Sequence, residues 1–156
     1  MLNKHFREFL KLLIDNGIKF VVVGGYAVGI HGFPRYTGDL DVFVAFDVEN
    51  AARLKHVFEL FGFGDLGLSE GDFRQANSVI EIGREPTKIQ VLTGIDGVTF
   101  ADAYANRIDV DLDGLRVPFL GFEDLLKNKK ASARSKDLID VDELERIKQT
   151  KPADLK

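Results

Sequence analysis

A short apolar run that ends in two adjacent glycines constrains the fold of this chain more than any other feature. Residues 19–23 contain a phenylalanine followed by three valines, and Gly24 and Gly25 come directly after them. Such an apolar, β-branched run favours a strand buried on both faces. Glycines at its end let the backbone turn sharply and pass close to a ligand. We therefore expect a buried strand that ends at a binding site.

Helical and strand patterns alternate along the chain. The periodicity predicts helices between the cap Asn3 and the stop Gly17 and over residues 26–31, 48–61, 100–106, 123–130 and 136–148. Apolar or alternating runs predict strands over residues 19–23, 39–44, 78–82, 88–92, 108–112 and 115–117. This order predicts one α/β (α+β) domain over residues 1–156, in which helices flank a mixed, twisted sheet.

The composition argues against several classes of protein. The chain has 21 basic and 25 acidic residues, which gives a net charge of -4, and it contains no Cys. A disulfide framework and thiolate chemistry are therefore excluded, and bulk electrostatic binding of nucleic acid is disfavoured. No apolar run approaches the ~20 residues that span a bilayer, and the first residues lack a signal-peptide core. We expect a cytoplasmic protein without a membrane contact.

Two aspartates separated by one apolar residue follow the glycines. Asp39 lies fourteen residues after Gly25, and Asp41 comes two residues later. On a strand the two carboxylates point to one face and Leu40 points to the other. Like charges placed this way repel unless a cation lies between them, and Mg²⁺ prefers carboxylate and phosphate oxygens. The pair therefore predicts a site for a metal and a phosphate, whereas the simpler interpretation is a solvent-facing pair on an edge strand.

A strand, a Gly-Gly turn, a short helix and then Asp-x-Asp on the next strand resemble the signature of the nucleotidyltransferase superfamily. The chain is most similar to small bacterial single-domain nucleotidyltransferases related to abortive-infection-type toxins and to minimal nucleotidyltransferases of toxin–antitoxin systems. The motifs that carry this resemblance over nearly the whole chain are Gly24-Gly25-Tyr26-Ala27, Arg35-x-Thr37-x-Asp39-Leu40-Asp41, Ile95-Asp96-Gly97-Val98-x-Phe100, and Asn128-Lys129-Lys130 through Arg134-x-Lys136-Asp137-Leu138-x-Asp140.

The resemblance implies transfer of a nucleotidyl group from a nucleoside triphosphate to a hydroxyl of a tRNA, a protein or a small molecule. Asp39 and Asp41 would be catalytic residues that hold one or two Mg²⁺ or Mn²⁺ ions. The residues implied to bind the nucleotide are Gly24, Gly25, Arg35, Thr37, Lys129, Arg134 and Lys136. Asp137 would orient the basic groups. An antitoxin is a further partner that the resemblance suggests.

The third acidic position of the superfamily carries an amide in this chain. We expect related small proteins to read Lys/Arg-Ile-Asp-hydrophobic-Leu-Thr here, whereas residues 88–93 of this chain place Gln90 at the acidic position. An amide can coordinate a metal through its carbonyl oxygen, but it cannot accept a proton. Glu81 on the neighbouring strand is a candidate substitute. Gln90 therefore leaves two interpretations open: a working catalytic residue, or a weakened module that binds nucleotide or partners another toxin–antitoxin component.

Several of these residues also have simpler interpretations. Arg35 can be a loop cation, and the basic stretch 127–136 can be a solvated helical surface. His31 fits packing at a helix end better than a role as a base, and Asp96 fits a turn. A purely structural interaction domain is the remaining alternative, in which the aspartate pair would be accidental.

Overall fold

The computed structural model describes residues 2–33 and 38–150. Its helices are α1 (Lys4–Asp15), α2 (Gly24–Ile30), α3 (Val48–Leu60), α4 (Phe100–Ala105), α5 (Phe122–Ser132) and α6 (Ser135–Thr150). Its strands are β1 (Phe20–Val23), β2 (Leu40–Val44), β3 (Val79–Ile82), β4 (Ile89–Leu92), β5 (Ile108–Leu112) and β6 (Leu115–Phe119). The predicted succession of helices and strands is confirmed.

Local sequence signals account for where several elements begin and end. The side chain of Asn3 accepts a hydrogen bond from the His5 amide at 2.8 Å, and Asp47 accepts one from the Asn50 amide at 2.9 Å. Both are N-caps, since they satisfy amides that the first helical turn leaves without a partner. The β5–β6 hairpin turns at Asp113 and Gly114, whose φ angles are 52° and 85°. Positive φ at both central residues suits a tight turn between antiparallel strands.

Several element ends differ from the sequence prediction by one or two residues, and one segment contains helical turns that were not predicted. The helix after β1 begins at Gly24 rather than at Tyr26, because the strand turns into the helix without an intervening loop. Two short 3-10 helices, Gly64–Leu66 and Glu70–Arg74, lie between α3 and β3 in a segment without helical periodicity. They bring the fully buried Phe73 against Phe58, with ring centroids 5.0 Å apart.

Within the described residues, six strands form one mixed sheet in the order β3-β4-β2-β1-β6-β5. The pairs β2–β4 and β1–β6 are parallel, whereas β1–β2, β3–β4 and β5–β6 are antiparallel. The two central strands are therefore the valine-rich β1 and β2, the strand that carries Asp41. The expected α/β fold with a mixed sheet flanked by helices is confirmed.

The core lies between the sheet and its helices. The valines of β1 are at most 3% exposed. The predicted apolar face of α1, with Phe6, Phe9, Leu10 and Leu13, is buried as well. Phe9 packs edge to face against Phe58 of α3, with ring centroids 6.0 Å apart. None of the described helices is both long enough and apolar enough to cross a membrane.

Candidate functional site

A cleft of about 440 Å³ lies between the sheet on one side and helices α5 and α6 on the other. The predicted site residues that line it are Gly24, Gly25, Asp41, Gln90, Lys129, Arg134 and Lys136. Chain segments far apart in the sequence thus meet at one place. Two other predicted residues, Arg35 and Thr37, lie outside the described residues.

Asp41 lies at the centre of the strands that form the floor of the cleft. It is paired in register with Val23 of β1 on one side and with Gln90 of β4 on the other. Its Oδ1 atom is buried and has no hydrogen-bond partner within residues 2–33 and 38–150. A buried carboxylate oxygen without a partner is costly, so this position favours an added donor or cation.

The surroundings of Asp41 disfavour the charged form of its side chain. Burial raises the pKa of the Asp41 carboxyl to about 6, and the like charge of Asp39 adds to this rise. The ammonium groups of Lys136, Lys129 and Lys88 act in the opposite direction but do not cancel the effect. The Asp41 carboxyl therefore ionises at a higher pH than an exposed aspartate, and a metal ion beside it would favour the ionised form.

Gly24 brings the turn after β1 into contact with this carboxylate. Its φ angle is 68°, which L side chains rarely adopt, and a Cβ atom at this position would overlap Oδ2 of Asp41. The glycine therefore permits the close approach that the sequence predicts, and the group that approaches its backbone is the Asp41 carboxylate. Gly25 lies on the wall of the same cleft.

Gln90 is the residue at which the sequence resemblance implied a third acid. Glu81 of β3, Gln90 of β4 and Asp41 of β2 lie side by side across three strands. The Glu81 side chain is 51% exposed, and its Oε2 lies 3.4 Å from Nζ of Lys88. Among the described residues, no three His, Asp or Glu side chains converge as a metal cluster. The donors next to Asp41 on this face are its own carboxylate, the carboxylate of Asp39 and the amide oxygen of Gln90, and such oxygen donors suit a hard cation such as Mg²⁺.

Lys129 is held in a buried ion-pair cluster beneath the cleft. Its Nζ lies 3.3 Å from Asp137 Oδ1 and 3.1 Å from Asp140 Oδ2, and both carboxylates are fully buried. Burial disfavours the charge of Asp137, but the hydrogen bond from Arg134 and the charge of Lys129 outweigh it and lower the pKa of this carboxyl. Much of the Lys129 charge is therefore neutralised inside the protein.

Arg134 and Lys136 are more accessible than Lys129. The Arg134 side chain is 67% exposed, although its Nε donates to Asp137 Oδ2 at 2.8 Å. Lys136 is exposed, lines the cleft and forms no ion pair with any part of the chain that the structure describes. Among Lys129, Arg134 and Lys136, the predicted cations that the structure describes, Lys136 therefore has its charge most available to an anion in the cleft.

Sequence reasoning missed two contributors to the site. Lys88 lies beside the aspartate pair, with Nζ 3.8 Å from Asp39 Oδ2. Asp140 completes the Lys129 cluster, although the motif assigned it no role. The spacing offered a signal for both, since Lys88 is two residues from Gln90 on a strand and Asp140 is three residues from Asp137 on a helix.

His31 and Asp96, for which the sequence favoured packing and a turn over a role in the site, both make contacts that stabilise the fold. The His31 ring nitrogen Nε2 is 2.8 Å from the carbonyl oxygen of Leu120, and the ring is buried against Phe122. The backbone carbonyl of Asp96 accepts a hydrogen bond from the buried Asn128 side chain at 2.9 Å. This bond ties the 95–98 turn to α5 at the cleft edge. Packing of His31 and a turn at Asp96 are both confirmed.

A comparison with sequence families identifies one match. The model of the family described as "Nucleotidyltransferase of unknown function (DUF6036)" matches residues 2–156. No curated protein matches the chain at a significant level.

Several solved structures share the fold at low sequence identity. The lincosamide antibiotic adenylyltransferase LnuA is 15% identical with a TM-score of 0.60, covering 94% of this chain and 98% of its own. The antibiotic-resistance factor ANT(2'')-Ia is 12% identical with a TM-score of 0.57, covering 93% and 88%. An antigenic nucleotidyltransferase-like protein from Paracoccidioides brasiliensis is 15% identical with a TM-score of 0.55, covering 92% and 74%. At these identities the likeness shows the fold.

Proposed function

The chain belongs to the DUF6036 family of nucleotidyltransferases of unknown function, and on this premise we propose that it moves a nucleotidyl group from a nucleoside triphosphate to a hydroxyl acceptor. The triphosphate binds in the cleft together with Mg²⁺ or Mn²⁺ held by Asp39 and Asp41. The observation that carries the proposal is the Asp41 carboxylate, which is buried with one oxygen unpartnered in the described part of the chain. A divalent cation relieves both the burial of this charge and its repulsion from Asp39.

The remaining residues of the cleft have two proposed roles: the glycines shape its wall, and the basic side chains supply positive charge to the phosphates. Gly24 and Gly25 form a wall without side chains, along which the triphosphate lies close to the backbone. Lys136 supplies a charge to the phosphates, and Arg134 supplies donors from the rim. Lys129 acts from below, where Asp137 and Asp140 fix its position. Arg35 and Thr37 are proposed to flank the same phosphates.

The reaction forms one bond and breaks one. The acceptor oxygen attacks the α-phosphorus in line, and the bond between the α-phosphorus and the bridging oxygen breaks as pyrophosphate leaves. A bound divalent cation supplies charge neutralisation at the phosphate oxygens. Gln90 has no basic site, so the proton of the acceptor hydroxyl passes to solvent. The residues of this chain thus contribute orientation and electrostatic stabilisation.

We propose a small organic molecule as the acceptor class to test first. The structurally similar LnuA is described as a lincosamide antibiotic adenylyltransferase, and ANT(2'')-Ia has been solved in complex with adenylyl-2''-tobramycin. The side chains of Val79, Leu92 and Ile95 also give the cleft an apolar side. The net charge of -4 is less suited to RNA. A tRNA or protein acceptor remains an alternative. An antitoxin partner is another, and it would be supported if expression of this chain arrested growth and co-expression of a neighbouring gene relieved the arrest.

A catalytically weakened binding module is the second candidate, and Gln90 specifically favours it. The amide lies directly beside Asp41 in the parallel register of β2 and β4. It therefore occupies the place where a carboxylate would add charge for a second metal and a proton acceptor. In this form the protein would retain the triphosphate without rapid transfer.

Labelled nucleotide separates the two candidates. The protein is incubated with Mg²⁺ and each α-labelled ribonucleoside triphosphate, together with an aminoglycoside and lincosamide panel, bulk tRNA, or no added acceptor. The first proposal expects label on one acceptor, release of pyrophosphate, and loss of both with Asp41→Asn. The second expects retained nucleotide and no labelled product. Neither product nor retained nucleotide under any condition would refute both.

A further inference from the structure

The ammonium group of Lys88 lies among several carboxylates at the outer side of the aspartate pair. Its Nζ is 3.8 Å from Asp39 Oδ2, 3.4 Å from Glu81 Oε2 and 3.7 Å from Glu85 Oε1. The Lys88 side chain is 24% exposed, whereas Glu81 and Glu85 are at least half exposed. Because water screens exposed ion pairs, the partly shielded Asp39 is the partner through which Lys88 affects the site most.

The sheet register fixes this arrangement. The Leu40 amide donates to the Lys88 carbonyl at 3.0 Å, and Leu40 is paired with Ile89. Asp39 and Lys88 therefore lie at the start of the paired strands β2 and β4, close to the Asp41–Gln90 pair. Residues 88 and 90 share one face of the strand because side chains alternate. The neighbours of the two aspartates are thus the cation Lys88, which directly precedes β4, and the neutral amide of Gln90 in β4.

A second divalent ion would meet unfavourable chemistry at this face. Binding of two ions needs additional anionic ligands, but Gln90 brings no charge and Lys88 brings a positive one. Another cation close to Asp39 would also lie close to the Lys88 ammonium and be repelled by it. Glu81, the nearest further acid, is paired with the same ammonium.

We propose that Lys88 takes the place of a second metal ion, so that its ammonium compensates the outer side of Asp39 and limits the site to one divalent cation. This inference rests on the proposed function, because it assumes a cation at Asp39 and Asp41. It assigns Lys88 the role of a positioning residue that determines how many metal ions the site accepts.

Binding of Mn²⁺ alone, followed by the paramagnetic resonance of the free ion, tests this role without relying on turnover. The parent is expected to bind one Mn²⁺ per chain. Lys88→Met should bind the first Mn²⁺ about tenfold more tightly and should take up a second ion at higher Mn²⁺ concentration, because a neighbouring positive charge is removed. Lys88→Arg should behave like the parent. Lys11→Met is the matched control, since Lys11 pairs with Asp15 on α1 and its loss changes the net charge equally.

The outcomes separate this inference from the proposed function. Two ions bound to the parent, or unchanged or weaker binding by Lys88→Met, would overturn the role of Lys88 and leave the Asp39–Asp41 site intact. Absence of Mn²⁺ binding in every variant would overturn both. Thermal melts in metal-free buffer verify that each variant is folded, and Lys88→Gln provides a second neutral replacement with the same expected tightening.

Discussion

Asp41 and Gln90 are direct partners in the parallel pairing of β2 and β4. A carboxylate and a neutral amide therefore share the floor of the cleft, with the amide next to one of the two aspartates that are proposed to hold the cation. Whether the amide limits the chemistry is the main question that this geometry raises.

Replacement of Gln90 by an acid should speed metal-dependent transfer. Gln90→Asp places a proton acceptor and a negative charge beside Asp41, and general-base assistance is typically worth ~10²–10⁴-fold in rate. Release of pyrophosphate measures the effect, and Gln90→Asn is the control that shortens the side chain without adding charge. A parent that is already fast and that Gln90→Asp slows would show that the amide is a working part of the site.

Stability in metal-free buffer should fall as Asp41 ionises. The pKa of Asp41 is raised from 3.8 to about 6 in the fold, so the folded chain binds more protons than the unfolded chain between these values. The free energy of unfolding therefore decreases as the pH rises through this window. Relative to Asp41→Asn, the parent should lose roughly 2–3 kcal/mol.

Urea denaturation with a chelator, repeated across this pH range, measures this loss. Asp142→Asn is the control, since Asp142 is an exposed acid on α6. If Asp41→Asn follows the same pH dependence as the parent, the raised pKa of Asp41 is not the cause of this dependence.

Two of the three glycines of α2, Gly24 and Gly29, offer a matched pair of substitutions. Gly24→Ala should destabilise the fold by more than ~1 kcal/mol, because the residue has positive φ and its Cβ would overlap the Asp41 carboxylate. Gly29→Ala should be neutral or stabilising, since a Cβ there meets nothing within 4 Å and alanine favours a helix. Equal thermal shifts for the two variants would contradict the close packing at Gly24.

The two lysines of the cleft should separate stability from binding. Lys129→Met leaves the buried Asp137 and Asp140 without their shared cation, and loss of one partner from a buried pair typically costs ~3–5 kcal/mol. Lys136→Met should change stability little but weaken triphosphate binding. Chemical denaturation and calorimetry measure the two effects. A stable Lys129→Met variant would show that the buried cluster is not a structural element.

Much of the fold was predictable because its signals are local. The caps Asn3 and Asp47, the apolar face of α1 and the Asp113-Gly114 turn each depend on residues within a few positions of one another. The strand order was not predictable, because the pairing of β1 with β6 joins residues nearly one hundred positions apart. The burial of Phe73 likewise depends on tertiary contacts that leave no periodic pattern.

The candidate site was likewise predictable where its geometry is local and not where it depends on long-range contacts. A period of two places Asp39 and Asp41 on one face, and this could be read from the sequence. The partners of the lysines could not be read from the sequence, because Lys88 contacts Asp39 on a neighbouring strand segment and Lys129 contacts Asp140 on another helix. The availability of a charge to a ligand depends on such contacts, and composition alone does not reveal them.

The most direct test of the account is calorimetric titration of the parent and Asp41→Asn with ribonucleoside triphosphates, with and without Mg²⁺, at neutral pH. The parent should bind at least one triphosphate only when Mg²⁺ is present, and ligand at ~100 times its dissociation constant should stabilise the fold by ~2.7 kcal/mol. Asp41→Asn should fold but lose this binding, whereas Asp142→Asn should keep it. Two results would contradict a cation site at Asp39 and Asp41. One is that Asp41→Asn binds metal and nucleotide as well as the parent does, and the other is that the parent binds none of the four triphosphates.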